Sequence, residues 1–148
     1  MGDLILREAS PDDSEFAYLV KKAAFRGYIE RVWGWDEECQ RELHQRRFAS
    51  QDFRVIQSAG IDVGILAIER RPDCLKVNQL FIMPDHQGRG IGTACMRVII
   101  EEAQTRRISI RLQVLKVNSR AIAFYRRLGF TPIDENATHV QMERAAIQ

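Results

Sequence analysis

The 148-residue sequence is poor in the residues that build crosslinked or metal-held folds. Its three cysteines, Cys39, Cys74 and Cys95, are odd in number and spaced as in no disulfide or zinc framework. Cys39 and Cys95 fall at apolar helical positions, where a thiol packs as a small hydrophobe. The three histidines, His44, His86 and His139, form no ligand pattern, so no metal is expected. Excess charge of one sign is also missing. A net charge of +2 is too small to argue for nucleic acid or an anionic membrane as partner. No apolar run approaches membrane-spanning length, and the N-terminus has no secretory pattern. A reducing, cytoplasmic setting is the expectation. There is no repeat, low-complexity tract or linker, and the length suits one domain spanning residues 1–148.

Local charge carries more information than the total. Arg106-Arg107 and Arg126-Arg127 are basic pairs that either meet a phosphorylated ligand or lie as solvated helix faces.

The hydrophobic pattern alternates between periods of two and 3.6. Leu4 to Ala9 reads as a strand. Ser10-Pro11-Asp12-Asp13 is a helix start, with an N-cap serine, proline in the first turn and acids near the positive end of the dipole. Phe16, Leu19, Val20, Ala23 and Ala24 form one apolar stripe, and Gly27 to Gly34 interrupts it. Asp36 caps a second helix to about Phe48. Phe53–Ser58 and Val63–Arg70 flank a turn, hence a hairpin. Leu75–Met83 is a central strand, Gly90–Arg106 a helix and Ile108–Leu115 a strand with clean alternation. Ser119–Leu128 is a helix that stops at Gly129. Phe130–Ile133 and His139–Glu143 are closing strands. The class is α/β, in the order β-α-α-β-β-β-α-β-α-β-β.

Leu75–Met83 contains a phase slip. Leu75 and Val77 set one alternation, whereas Leu80 and Ile82 follow the other. A one-residue slip reverses the buried face. An extra residue near Asn78-Gln79, a β-bulge, repairs it and frees backbone groups. The competing reading is a strand buried on both faces, where phase has no meaning.

Immediately after this strand comes Gln87-Gly88-Arg89-Gly90-Ile91-Gly92, opening directly into a helix. The glycines let the backbone turn tightly, and a helix start presents unpaired N–H groups. Together they suit an anion such as a pyrophosphate, with Arg89 adding charge. A P-loop is excluded because no Gly-Lys-Ser/Thr follows; Gly92 is succeeded by Thr93. A dinucleotide fingerprint fits poorly, since Leu115-Lys116 stands where an acid for ribose is wanted.

A second constellation, Asn118, Ala121, Tyr125, Gly129 and Phe130, follows the next strand. With Gln87, Gly90 and Gly92, these residues resemble the two motifs of the GNAT superfamily of acyl-CoA N-acyltransferases. The resemblance is strong over Leu75 to Phe130. It implies a mixed central sheet of about six or seven strands, with two central parallel strands splayed at a bulge. It implies acetyl-CoA as cofactor, held by Phe81, Ile82 and Met83 and by Gln87, Gly88, Arg89, Gly90, Ile91, Gly92 and Thr93. Asn118, Ala121 and Tyr125 complete that set, and Tyr125 is the general acid for the leaving thiolate.

The general base is left open. Many family members place a glutamate on the bulged strand, but Lys76, Asn78 and Gln79 stand there here. Glu30, Asp36, Glu69 and His139 are candidates. By the same resemblance the segment between the first two helices covers the acceptor. Tyr28, Glu30, Trp33, Trp35 and Asp36 then suggest a small cationic amine; Trp33 and Trp35 read equally well as core. A protein or peptide amine, or a non-catalytic acyl-CoA-binding domain, are the alternatives. Homodimers are common in the family.

Overall fold

The computed structural model describes residues 3–147. In chain order the elements are β1 (Leu4–Glu8), α1 (Ser14–Val32), α2 (Glu37–Ser50), β2 (Phe53–Ser58), β3 (Ile61–Arg70) and β4 (Cys74–Ile82). Then follow α3 (Ile91–Arg106), β5 (Ser109–Leu115), α4 (Ser119–Arg127), β6 (Thr131–Glu135) and β7 (His139–Arg144). This is the order read from the sequence. The seven strands form one sheet, β1-β2-β3-β4-β5-β7-β6, in which only β4 and β5 run parallel. Among the described residues no helix is long and apolar enough to cross a membrane.

The central strands of the sheet are buried on both faces, whereas the edge strand β6 is exposed. On β3, Leu66 and Ile68 point to a core shared with Met96 and Ile99 of α3. Ile65 and Ala67 point the other way, to Ala17 and Val20 of α1. This alternation within one fully apolar strand is the pattern of a sheet covered by helices on each side. The β2–β3 turn consists of Ala59 and Gly60, both at positive φ (53° and 79°), the geometry of the tight hairpin turns that match strand twist.

The bulge is present where the alternation slips. Opposite β3, Ala67 pairs with Gln79 and Ile68 with Val77, which leaves Asn78 unpaired. The parallel ladder between β4 and β5 then stops at Val77↔Leu112. Beyond it the two strands separate. β4 continues to Ile82 on β3, and β5 continues to Leu115 on β7.

Three expectations need correction. Gly27 does not end the first helix, which runs 19 residues to Val32. A helical glycine is unfavourable by about 1 kcal/mol against alanine; here the Arg26–Glu30 pair and buried Ile29 hold the following turns. The buried face of α1 is also rotated from the expected stripe. Leu19 is 46% exposed, whereas Ala17, Tyr18, Val20 and Lys21 are buried. Cys39 is exposed, not apolar-facing, because its position beside the Asp36 cap lies on the outer side of α2.

Candidate active site

The strand separation opens two clefts that meet between β4 and α4. The first has a volume of 460 Å³ and is lined by the glycine loop, Phe81, Ile82 and the start of α4. The second, of 340 Å³, lies toward α1, α2 and β7. Phe25, Leu80, Phe81, Asn118, Ala121 and Tyr125 border both.

The loop is built as an anion cradle. Gly88 and Gly90 adopt φ of 75° and 80°, a region that penalises any Cβ. Gly90 caps α3 without a side-chain bond. Ala94 N–H bonds Gly90 C=O at 3.0 Å, the first amide of the helix to find an intrahelical acceptor. The N–H groups of Ile91, Gly92 and Thr93 therefore face the first cleft at the positive end of the helix dipole. Gln87 fixes the loop to the strand, its Nε2 donating to Ile82 C=O at 2.9 Å. His86, Arg120 and Arg127 also line this cleft. Arg89 is exposed and borders neither cleft. Of the basic pairs, Arg127 alone reaches the first cleft; Arg106 is tied to Glu102 and to Arg71 C=O.

The free edge of β4 can be assigned residue by residue. Met83 N–H donates to Val63 C=O at 2.8 Å, and the Phe81 carbonyl lies against the Cα of Gly64. Those two residues thus turn their backbone groups toward β3. Backbone direction alternates along a strand, so Leu80 and Ile82 point theirs into the separation. An amide-bearing chain entering there gains strand-like hydrogen bonds. Leu80 belongs to this free edge, a position that sequence reading passed over because it depends on pairing register.

Tyr125 is buried at the junction of the clefts, edge-on to Phe124 and Phe130. Burial raises its phenol above the ordinary range, so the hydroxyl keeps its proton at every working pH. Asn118 caps α4, its side chain accepting from Ala121 N–H at 3.1 Å. This places both residues on the cleft border.

The acceptor-side expectations scatter. Tyr28 lines the first cleft, beside Phe25. Glu30 is exposed on α1 and pairs with Arg26. Trp33 is 58% exposed and packs on the His139 ring at 6.0 Å. Trp35 sits under Arg26 and donates to Glu37 at 2.8 Å. Asp36 accepts from Cys39 N–H as the cap of α2. Glu69 is exposed, and its hydrogen bond with Arg71 holds its carboxyl below the usual range. Of the base candidates only His139 borders the second cleft. Its Nδ1 lies 2.8 Å from Thr138 Oγ1, and burial lowers its pKa, so the ring is neutral near pH 7.

The sequence matches the acetyltransferase (GNAT) family over residues 16–130, and the chain belongs to that family. It is 34% identical over 137 residues to an uncharacterized N-acetyltransferase of Methanocaldococcus jannaschii, with 84% of this chain aligned. The chain spans 59% of the length of that relative. The fold superposes on the PaiA N-acetyltransferase of Thermoplasma acidophilum, solved in complex with coenzyme A. The TM-score is 0.78 at 16% identity, covering 96% of this chain and 98% of that one. An acetyltransferase of Thermus thermophilus gives 0.76 at 19% identity, covering 96% of each. At these identities the structural likeness is one of fold.

Proposed function

We propose that the chain is an N-acetyltransferase that moves the acetyl group of acetyl-CoA to a primary amine on a small molecule, by direct attack. The observation that carries this is the meeting of two clefts at one buried tyrosine. One cleft offers free helix N–H groups and positive-φ glycines for a pyrophosphate, and the free edge of β4 for the pantetheine amides. These residues fit the cofactor, which supplies an acetyl thioester.

Each residue has a defined task. Ile91, Gly92 and Thr93 N–H groups hold the pyrophosphate oxygens. Arg127 adds charge at the same cleft. Leu80 and Ile82 position the pantetheine arm along β4. Tyr125 gives its hydroxyl proton to the sulfur as the C–S bond breaks and the new N–C bond forms. The departing thiolate has a reference pKa of about 8.5, and a donor at the sulfur helps it leave. His139, neutral in the second cleft, takes the proton that the amine nitrogen must lose. Solvent then restores both side chains.

The test is release of free thiol with an amine panel, in the parent protein and in Tyr125→Phe. The expected result is turnover by the parent and a fall of about 100-fold or more in the variant, with cofactor affinity nearly unchanged. An undiminished rate in Tyr125→Phe removes its assignment as the acid. Cofactor binding with no turnover on any amine supports a non-catalytic acyl-CoA-binding domain instead.

A further inference from the structure

The second cleft has an unusual charge. Lys21, Arg47 and Lys76 line it, with the amides of Gln51, Gln79 and Gln113, and no Asp or Glu is among its lining residues. Lys21 is 7% exposed, yet among the described residues no carboxylate lies within ion-pair distance of it, of Arg47 or of Lys76, although Glu69 stands opposite Lys76 on β3. Elsewhere on the molecule other basic side chains do meet a carboxylate, among them Arg7, Lys22, Arg41, Arg70 and Arg111. A buried, unmatched ammonium is destabilising, and its charge is normally balanced by a partner. Here the cleft offers it neutral amides and further cations, and no carboxylate.

A cationic amine is a poor occupant of such a site, since like charges in a partly desolvated cleft repel. Given acetyl transfer at Tyr125, on which this inference rests, we propose that the acceptor is an amine carrying its own carboxylate, seated among Lys21, Arg47 and Lys76. The planar Arg47 fork accommodates both carboxylate oxygens, and Lys21 adds a point charge from α1. The three glutamines provide neutral donors and acceptors around them. The arrangement also bears on the proton that the amine must lose. An amine beside its own carboxylate is held protonated by that charge. With the carboxylate neutralised, the surrounding cations favour the neutral amine instead. The strand acid common in the family is then dispensable, and Lys76, Asn78 and Gln79 can stand in its place.

The test compares matched acceptors: L-glutamate and glycine, their C-terminal amides, and 1,4-diaminobutane. Thiol release gives kcat/KM for each. The expected preference for acid over amide is roughly 10- to 100-fold, the value of a hydrogen bond to a charged group. In Arg47→Gln and in Lys21→Met that ratio falls toward one, chiefly through KM. Arg111→Gln, which removes an exposed cation outside the cleft, leaves the ratio as in the parent.

A second readout does not need turnover. Calorimetric titration of N-acetyl-L-glutamate and of its amides into the protein should show the acid binding at least 10-fold tighter, and Arg47→Gln should abolish the difference. Equal binding of acid and amide, or preferred acetylation of the diamine, overturns this inference and leaves the proposed transferase reading intact. Absence of any acetyl-CoA binding defeats the transferase reading, and the acid-versus-amide titration still decides the charge of the cleft.

Discussion

Replacing Lys21 by methionine should make the protein more stable while making the enzyme worse. The side chain is 7% exposed on the inner face of α1. Burial, reinforced by the charge of Arg47, pushes its pKa from 10.5 down to about 8. A tenfold change in protonation is worth about 1.4 kcal/mol, so charged Lys21 opposes folding by about 3 kcal/mol near neutral pH. The sign follows from proton counting. Between about pH 8 and 10.5 the unfolded chain binds this proton and the folded chain does not, so stability rises with pH across that window. Below pH 8 the full penalty is present. Methionine keeps the unbranched stem and removes the charge. Thermal melts near pH 7 should therefore show a gain of about 6–12 °C, taking roughly 2–4 °C per kcal/mol at this chain length. The parent-minus-variant difference should shrink from pH 8 to 10.5. A lower melting temperature in Lys21→Met, or parallel pH profiles for the two proteins, would refute the reasoning. Stability sacrificed at one buried residue is expected where that residue serves binding.

Other consequences are more local. His139→Gln should remove the acidic limb of the kcat/KM profile, a limb whose midpoint lies below the ordinary histidine value because burial favours the neutral ring; an unmoved limb assigns the base elsewhere. Gly64→Ala should destabilise the fold by about 1–3 kcal/mol, because the new Cβ meets the Phe81 carbonyl and β3 must shift away from β4. Chemical denaturation measures it, and a neutral effect would show that the strands separate more easily than their packing implies. Gly90→Ala should cost about 1–2 kcal/mol from its left-handed φ alone. It should also weaken cofactor binding measured by titration, since the loop amides lose their aim.

The parts of this molecule that could be read in advance share a physical property: their signal is local in sequence. The glycine loop announces itself because Gly88 and Gly90 are needed for their own φ, whatever surrounds them. The bulge at Asn78 was legible because period-two alternation registers a single extra residue. Gly129, at φ 93°, ends α4 where a left-handed residue was expected. The parts that escaped depend on long-range pairing. Phe81 and Leu80 differ only in which neighbour their backbone faces, and that is decided by the register with β3. Lys21 escaped because a lysine in a helical pattern normally reads as surface. Yet it falls at helical spacing between Ala17 and the Phe25–Tyr28 pair, a signal that was available. Trp33, Trp35 and the nearby acids drew attention as an acceptor pocket through the family resemblance and their composition. In the fold Trp35 and Asp36 bond within the start of α2 and Trp33 packs on His139, while the second cleft is lined from α1, α2, β4, β5, α4 and β7.

The central claim is that the cradle of Gly88 to Thr93 binds acetyl-CoA for transfer to an amine. Titration of acetyl-CoA with the melting temperature as readout tests it most directly. At a ligand concentration about 100 times Kd the native state gains about 2.7 kcal/mol. That predicts a shift of about 5–10 °C in the parent, with a much smaller shift in Gly90→Ala at the same concentration. No shift in the parent at millimolar acetyl-CoA, or an equal shift in both proteins, would contradict the account.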